Sequence, residues 1–152
     1  ARITAAILTG RDEQLPVILF DDDVVARSAI KDLRSNLYAA APNRLLSLKE
    51  FVFDDAEVED LFPASFLAEI MDRIERRPEQ QLVDVIKPNA PFVPQVEAWA
   101  KANRIELEKH WKIALSLEAK RRALQRGIDT FDKQTSDRWV KLFEAFIKLQ
   151  HA

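Results

Sequence analysis

The chain has 152 residues, 47% of them hydrophobic and 32% charged, with a formal net charge of −2. That length and apolar fraction suit one domain with a sizeable core, with room for a helical appendage. No apolar run approaches the about 20 residues needed to span a membrane, no signal-peptide pattern is present, and the absence of cysteine excludes disulfides and thiolate metal sites. A soluble protein in the cytoplasm fits these facts. The first residues, Ala1-Arg2-Ile3, lack a methionine, as expected of a fragment or a trimmed chain.

In chain order, Arg2 to Thr9 reads as the tail of a helix stopped by Gly10, and Arg11 to Gln14 as a polar loop. Pro16 then introduces the apolar run Val17-Ile18-Leu19-Phe20, which predicts a strand buried on both faces. The run ends in Asp21-Asp22-Asp23, and Ala26, Ala29, Ile30, Leu33 and Leu37 follow at helical spacing, predicting a helix over 24–39. Pro42-Asn43 breaks it, and Arg44 to Leu48 reads as a second strand. Strand, helix, strand implies a parallel βαβ unit. A second acidic segment, Asp54-Asp55-Ala56-Glu57-Val58-Glu59-Asp60, precedes a helix opening at Pro63, whose stripe is Phe66, Leu67, Ile70, Met71 and Ile74 and which ends at Arg76-Arg77-Pro78. Pro88, Pro91 and Pro94 mark 78–104 as a loop or insertion.

The remainder, 105–152, reads as a helical subdomain. One helix carries Leu107, Trp111, Ala114 and Leu115 and runs to Gly127, with Lys109, Lys112, Ser116 and Lys120 on another face. The last helix, 136–150, has the stripe Trp139, Leu142, Phe143, Phe146 and Ile147. The charge is unevenly spread: residues 1–60 hold 7 basic and 12 acidic side chains, residues 100–126 hold 8 basic and 3 acidic. An acidic site opposite a basic segment suits a metal centre beside a phosphate-rich substrate.

Carboxylates at the C-terminal end of a strand stand where α/β sheets form sites. On an extended segment Asp21 and Asp23 point one way and Asp22 the other. Two such carboxylates suit Mg²⁺ or Mn²⁺, hard cations that prefer oxygen ligands. Glu57 and Glu59 repeat the spacing, with Asp60 next to them. Were the two segments to meet at adjacent strand ends, four or five carboxylates would converge, enough for one metal or two in phosphodiester cleavage. The plain structural reading is that Asp23 N-caps the helix after it and that Glu59 or Asp60 favours the next helix dipole. His110, beside Trp111, and His151 are the only histidines, and the two glycines cannot build a phosphate loop.

Leu19-Phe20-Asp21-Asp22-Asp23 and Ala56-Glu57-Val58-Glu59-Asp60-Leu61-Phe62-Pro63 together resemble the acidic motifs of a Toprim (topoisomerase–primase) domain, specifically that of the OLD (overcoming-lysogenisation-defect) nucleases. Trp111-Lys112-Ile113-Ala114-Leu115 is similar to the segment that carries that family's functional lysine. The resemblance implies a Toprim-like parallel sheet flanked by helices over 1–77, incomplete because the family's first strand and its metal-binding glutamate are lacking. Ala26 stands where the family has glycine. It implies an Mg²⁺- or Mn²⁺-dependent DNA endonuclease, a hydrolase with Asp21, Asp23, Glu59 and Lys112 as catalytic residues. Asp21, Asp23, Glu57, Glu59 and Asp60 would be metal ligands, and Lys109, Lys112, Lys120, Arg121 and Arg122 would hold DNA. An upstream segment or ATPase domain of the same parent protein would supply the missing acid; a homo-oligomer is compatible.

Two other readings fit parts of the chain. Val17 to Arg27 also resembles the opening strand and acidic pair of a response-regulator receiver domain, with Asp84 in Leu82-Val83-Asp84-Val85-Ile86 as the nearest phosphoacceptor. Alternatively the chain is a non-catalytic helical interaction module whose acids only cap helices.

Overall fold

The computed structural model describes residues 15–75 and 78–150, with Ile128 described by its backbone alone. The helix tail at 2–9, Gly10, the loop at 11–14 and Arg76-Arg77 lie outside the described residues. The fold is mixed α/β and mostly helical: five α-helices and a two-stranded parallel sheet among the described residues. None of these helices is long and apolar enough to cross a membrane. The chain divides into two compact units, one formed by the residues up to Val58 together with those from Arg138 onward, the other by Glu59–Asp137.

In the first unit, β1 (Ile18–Phe20) pairs in parallel with β2 (Leu45–Ser47), in the register Ile18 to Leu45, Leu19 to Leu46 and Phe20 to Ser47. The helix α1 (Val24–Ser35) connects them, so the predicted strand–helix–strand unit is present. β2 is buried throughout, whereas every residue of β1 is only half-buried. β1 therefore departs from the expectation of burial on both faces; β2 is its single strand neighbour among the described residues. α1 stops at Ser35 rather than at 39. The Ser35 hydroxyl donates to the Lys31 carbonyl at 2.9 Å and the Asn36 amide to the Asp32 carbonyl at 2.8 Å, side-chain bonds that compete with continuation of the helix. Tyr38 then folds back into a small core with Leu33 and Leu45, and its hydroxyl donates to the Pro16 carbonyl at 2.9 Å.

In the second unit, α2 (Ala64–Ile74) and α3 (Phe92–Ala102) pack with α4 (Trp111–Arg126). Their core is built on Phe66, Leu67, Ile70, Met71, Leu82, Phe92, Val96, Trp99 and Leu115. The α2 stripe is as the periodicity predicts, although Pro63 stands just before the helix instead of opening it. α3 corrects the reading of 78–104 as loop. Pro91 is its N-cap residue and Pro94 lies in its first turn, positions where a helix needs no N–H from the chain. Val85 and Ile86 close a short 3₁₀ turn at Leu82–Asp84. Asp84 thus sits on a turn and not on a strand, which removes the placement that the receiver reading required.

α4 begins at Trp111, four positions later than predicted, and stops at Gly127. Its buried face is Leu115, Ala119 and Arg122, with Leu107 and Trp111 packed beside it. Ala114 is exposed, against expectation. α5 (Lys133–Gln150) buries Leu142, but Phe143 and Ile147 of its predicted stripe are 57% and 56% exposed.

Candidate functional site

The parallel pairing of β1 and β2 brings their C-terminal ends together, and Asp21-Asp22-Asp23 leaves from one of those ends. The three carboxylates have separate partners. The Asp21 Oδ1 atom accepts a hydrogen bond from the Val58 N–H at 3.0 Å. Asp22, 1% exposed, donates its backbone N–H to the Ala56 carbonyl at 2.8 Å and accepts from the Asp55 N–H through Oδ2 at 2.9 Å. The Asp23 Oδ1 atom accepts from the Ala26 N–H at 2.6 Å and so N-caps α1. Asp21 and Asp22 thus dock the second acidic segment, 55–58, onto the end of β1.

Asp22 is the node of this arrangement. Its buried charge is met by Arg27, whose Nη1 lies 3.1 Å from Oδ2, donates to the Asp22 carbonyl at 2.7 Å and reaches Asp55 Oδ1 at 2.9 Å. The hydrogen bond that Arg27 donates to Asp55 is the main cause that raises the Arg27 pKa further, with the Asp22 charge adding to it. Asp55 occupies the left-handed region at φ 59°, a conformation that aspartate tolerates better than most residues. The alternation expected along 21–23 is therefore expressed as a division of labour: Asp22 is the internal structural member.

The remaining acids separate. Glu57 is half-buried on the docked segment of the first unit, and Glu59 is half-buried at the start of the second. Asp60 is buried, and its Oδ1 accepts from the Phe92 N–H at 2.9 Å. That carboxylate serves the N-terminal end of α3. The second acidic segment also does not close a strand; Val58–Leu61 is a 3₁₀ turn. Among the described residues no group of three or more His, Asp or Glu side chains is placed to hold a metal ion.

The basic residues on α4 and just before it are likewise divided. Lys109 and Lys120 are exposed, while Lys112 is half-buried with its Nζ 6.0 Å from the centre of the neighbouring Trp111 ring. Arg121 is exposed but grips Glu118 with two nitrogens at 2.7 and 2.6 Å. Arg122, expected on the DNA-holding face, is buried, and its Nε reaches the same Glu118 at 2.7 Å. The hydrogen bonds from Arg121 and Arg122 hold the Glu118 carboxyl at about 2. His110 precedes α4 and is exposed.

A group absent from the sequence reading lines a cavity beside Asp22: Arg27, Lys31 and Arg34 from α1, and Ser47, Lys49 and Glu50 from the end of β2. The 27, 31, 34 spacing was the available signal, since it places three cations on one helical face. No protein-family model, curated protein or solved structure matches the chain.

Proposed function

We propose that the chain belongs to a Toprim catalytic region of OLD type, acting in the hydrolysis of DNA phosphodiester bonds. The observation that carries this reading is the docking of the second acidic segment onto the first through Asp21 and Val58. Asp21, Asp23 and Glu57 thereby lie on adjoining backbone segments at the C-terminal end of a parallel β1–α1–β2 unit, where α/β folds bind their ligands. The donor set is all oxygen, in keeping with Mg²⁺ or Mn²⁺. The described residues nevertheless do not fit a complete metal centre, because three acids do not converge, so the reading assigns the metal no step. Glu59 and Lys112, which the resemblance would add as catalytic residues, belong to the second unit and contribute nothing to this argument. The exposed Lys109, Lys120 and Arg121 suit salt-dependent contact with a DNA backbone.

The test is nicking of supercoiled DNA with Mg²⁺ or Mn²⁺, by this chain and by a longer protein that carries it. Asp21→Ala and Asp23→Ala should each lower nicking by about tenfold to a hundredfold; unchanged nicking in both would remove the assignment. A second reading, a non-catalytic interaction module, is favoured by the capping roles of Asp23 and Asp60. It predicts no nicking under any metal.

A further inference from the structure

The cavity beside Asp22 encloses about 290 Å³ between α1 and the corner that follows β2. That is the low end of the size range of ligand pockets, suited to a phosphate group and a small substituent. Arg27, Lys31 and Arg34 reach it from one stripe of α1, with Ile30 and Ser35 between them. Lys49 and Ser47 face them from the β2 corner. A helix that stacks cations at spacings of four and three destabilises itself slightly, and the arrangement becomes favourable when an anion sits among them.

The two acids in the wall are already committed. Asp22 is paired with Arg27 and accepts the Asp55 N–H. The Glu50 Oε1 atom accepts from the Ser47 N–H at 3.0 Å and closes a capping box with Ser47. Arg34 makes one long contact, 3.4 Å to the Leu45 carbonyl, and Lys31 and Lys49 have no ion-pair partner among the described residues. The wall therefore carries four cations, Arg27, Lys31, Arg34 and Lys49, against the two carboxylates of Asp22 and Glu50, an excess of two positive charges around one cavity. The Ser47 hydroxyl, buried in the wall, has only a 3.5 Å contact to Asp22 for its proton, so it can donate to an entering oxygen.

We infer that this cavity is a phosphate-binding site, in which Lys31, Arg34 and Lys49 hold a phosphate group against the Ser47 hydroxyl. Lysine supplies compact point charges and arginine a fork that matches phosphate oxygens. The phosphate is carried either by a nucleic-acid strand or by a small phosphate ester. This site does not depend on the nuclease reading, since it uses none of Asp21, Asp23 and Glu57.

The experiment is a titration of the whole chain followed by backbone amide NMR at constant ionic strength, with sodium chloride as the reference salt. The probes are inorganic phosphate, thymidine monophosphate and a short oligonucleotide with and without a 5′-phosphate. Saturable shifts confined to residues 27–35 and 47–50 are expected with phosphate and not with chloride. The double substitution Lys31→Gln, Lys49→Gln should weaken binding about tenfold or more, whereas Lys87→Gln, at an exposed position of the other unit, should leave it unchanged. A strand source is indicated when the oligonucleotides bind more tightly than thymidine monophosphate, a small ester when they do not. The inference is overturned if the shifts are linear and equal for chloride, or if the double variant binds as the parent does. Both lysines are exposed, and a melting curve of the variant checks that it is folded.

Discussion

Asp22 has the least freedom of the three consecutive aspartates, because its carboxylate is buried and already spans Asp55 and Arg27. Removing Arg27 leaves a buried carboxylate without its cation. Since that guanidinium is itself partly exposed, Arg27→Ala should destabilise the chain by less than the loss of one partner from a fully buried pair. Urea unfolding should show this as a lower midpoint at unchanged slope. Asp22→Ala should cost at least as much, while Asp23→Ala should cost about 1 kcal/mol, the loss of an N-cap. Glu118 offers a separate test by pH. Its carboxyl is held at about 2, below the ordinary 4.5, by hydrogen bonds from Arg121 and then Arg122. A carboxyl depressed on folding contributes stability that is complete above its unfolded value and is lost as the pH falls toward 2. Glu118→Gln should therefore flatten the fall in melting temperature between those two limits.

At the scale of elements, α4 ends because Gly127 adopts φ 64° and ψ −142°. An added Cβ at that position meets nothing within 4 Å, so any cost of Gly127→Ala comes from the backbone conformation alone. That region is almost closed to residues with a side chain, and the substitution should destabilise by about 1–3 kcal/mol, read from thermal or urea unfolding. The position of this stop was legible, since glycine after a periodic helix is a strong signal. α3 was not legible, because its prolines look like breaks in a linear pass. They are tolerated where they stand, at the N-cap and in the first turn, and the Phe92 N–H finds Asp60 from a distant part of the chain. A local reading of residues 88–94 contains nothing of that partner.

For the whole molecule, the residues that the acidic and basic patterns had joined into one site are divided between the two units. Asp21, Asp23 and Glu57 belong to the first, and Glu59, Asp60 and Lys112 to the second. If Asp21, Asp23 and Glu57 bind a divalent cation, millimolar Mg²⁺ should raise the melting temperature, by linkage between binding and folding. The rise should be lost in the Asp21→Ala, Asp23→Ala double variant. If the acids serve only as caps and docking points, Mg²⁺ should leave the melting temperature of both proteins unaltered.

The sequence by itself determined the elements whose signals are local. The strand after Pro16, the helix capped by Asp23, the stripe of α2 and the stop at Gly127 all follow from periodicity and from residues within a turn of one another. It also singled out the end of β1 as the place where charge concentrates. Only the tertiary structure decided what that charge does. Docking of 55–58 onto the strand end made Asp22 the buried node and gave it Arg27 as its counterion, while Asp60 accepts the Phe92 N–H at the start of α3. The reason is that a carboxylate's role depends on which N–H groups and cations the fold brings to it, and those partners lie 25 or more positions apart in the chain for Ser47, Asp55, Val58 and Phe92.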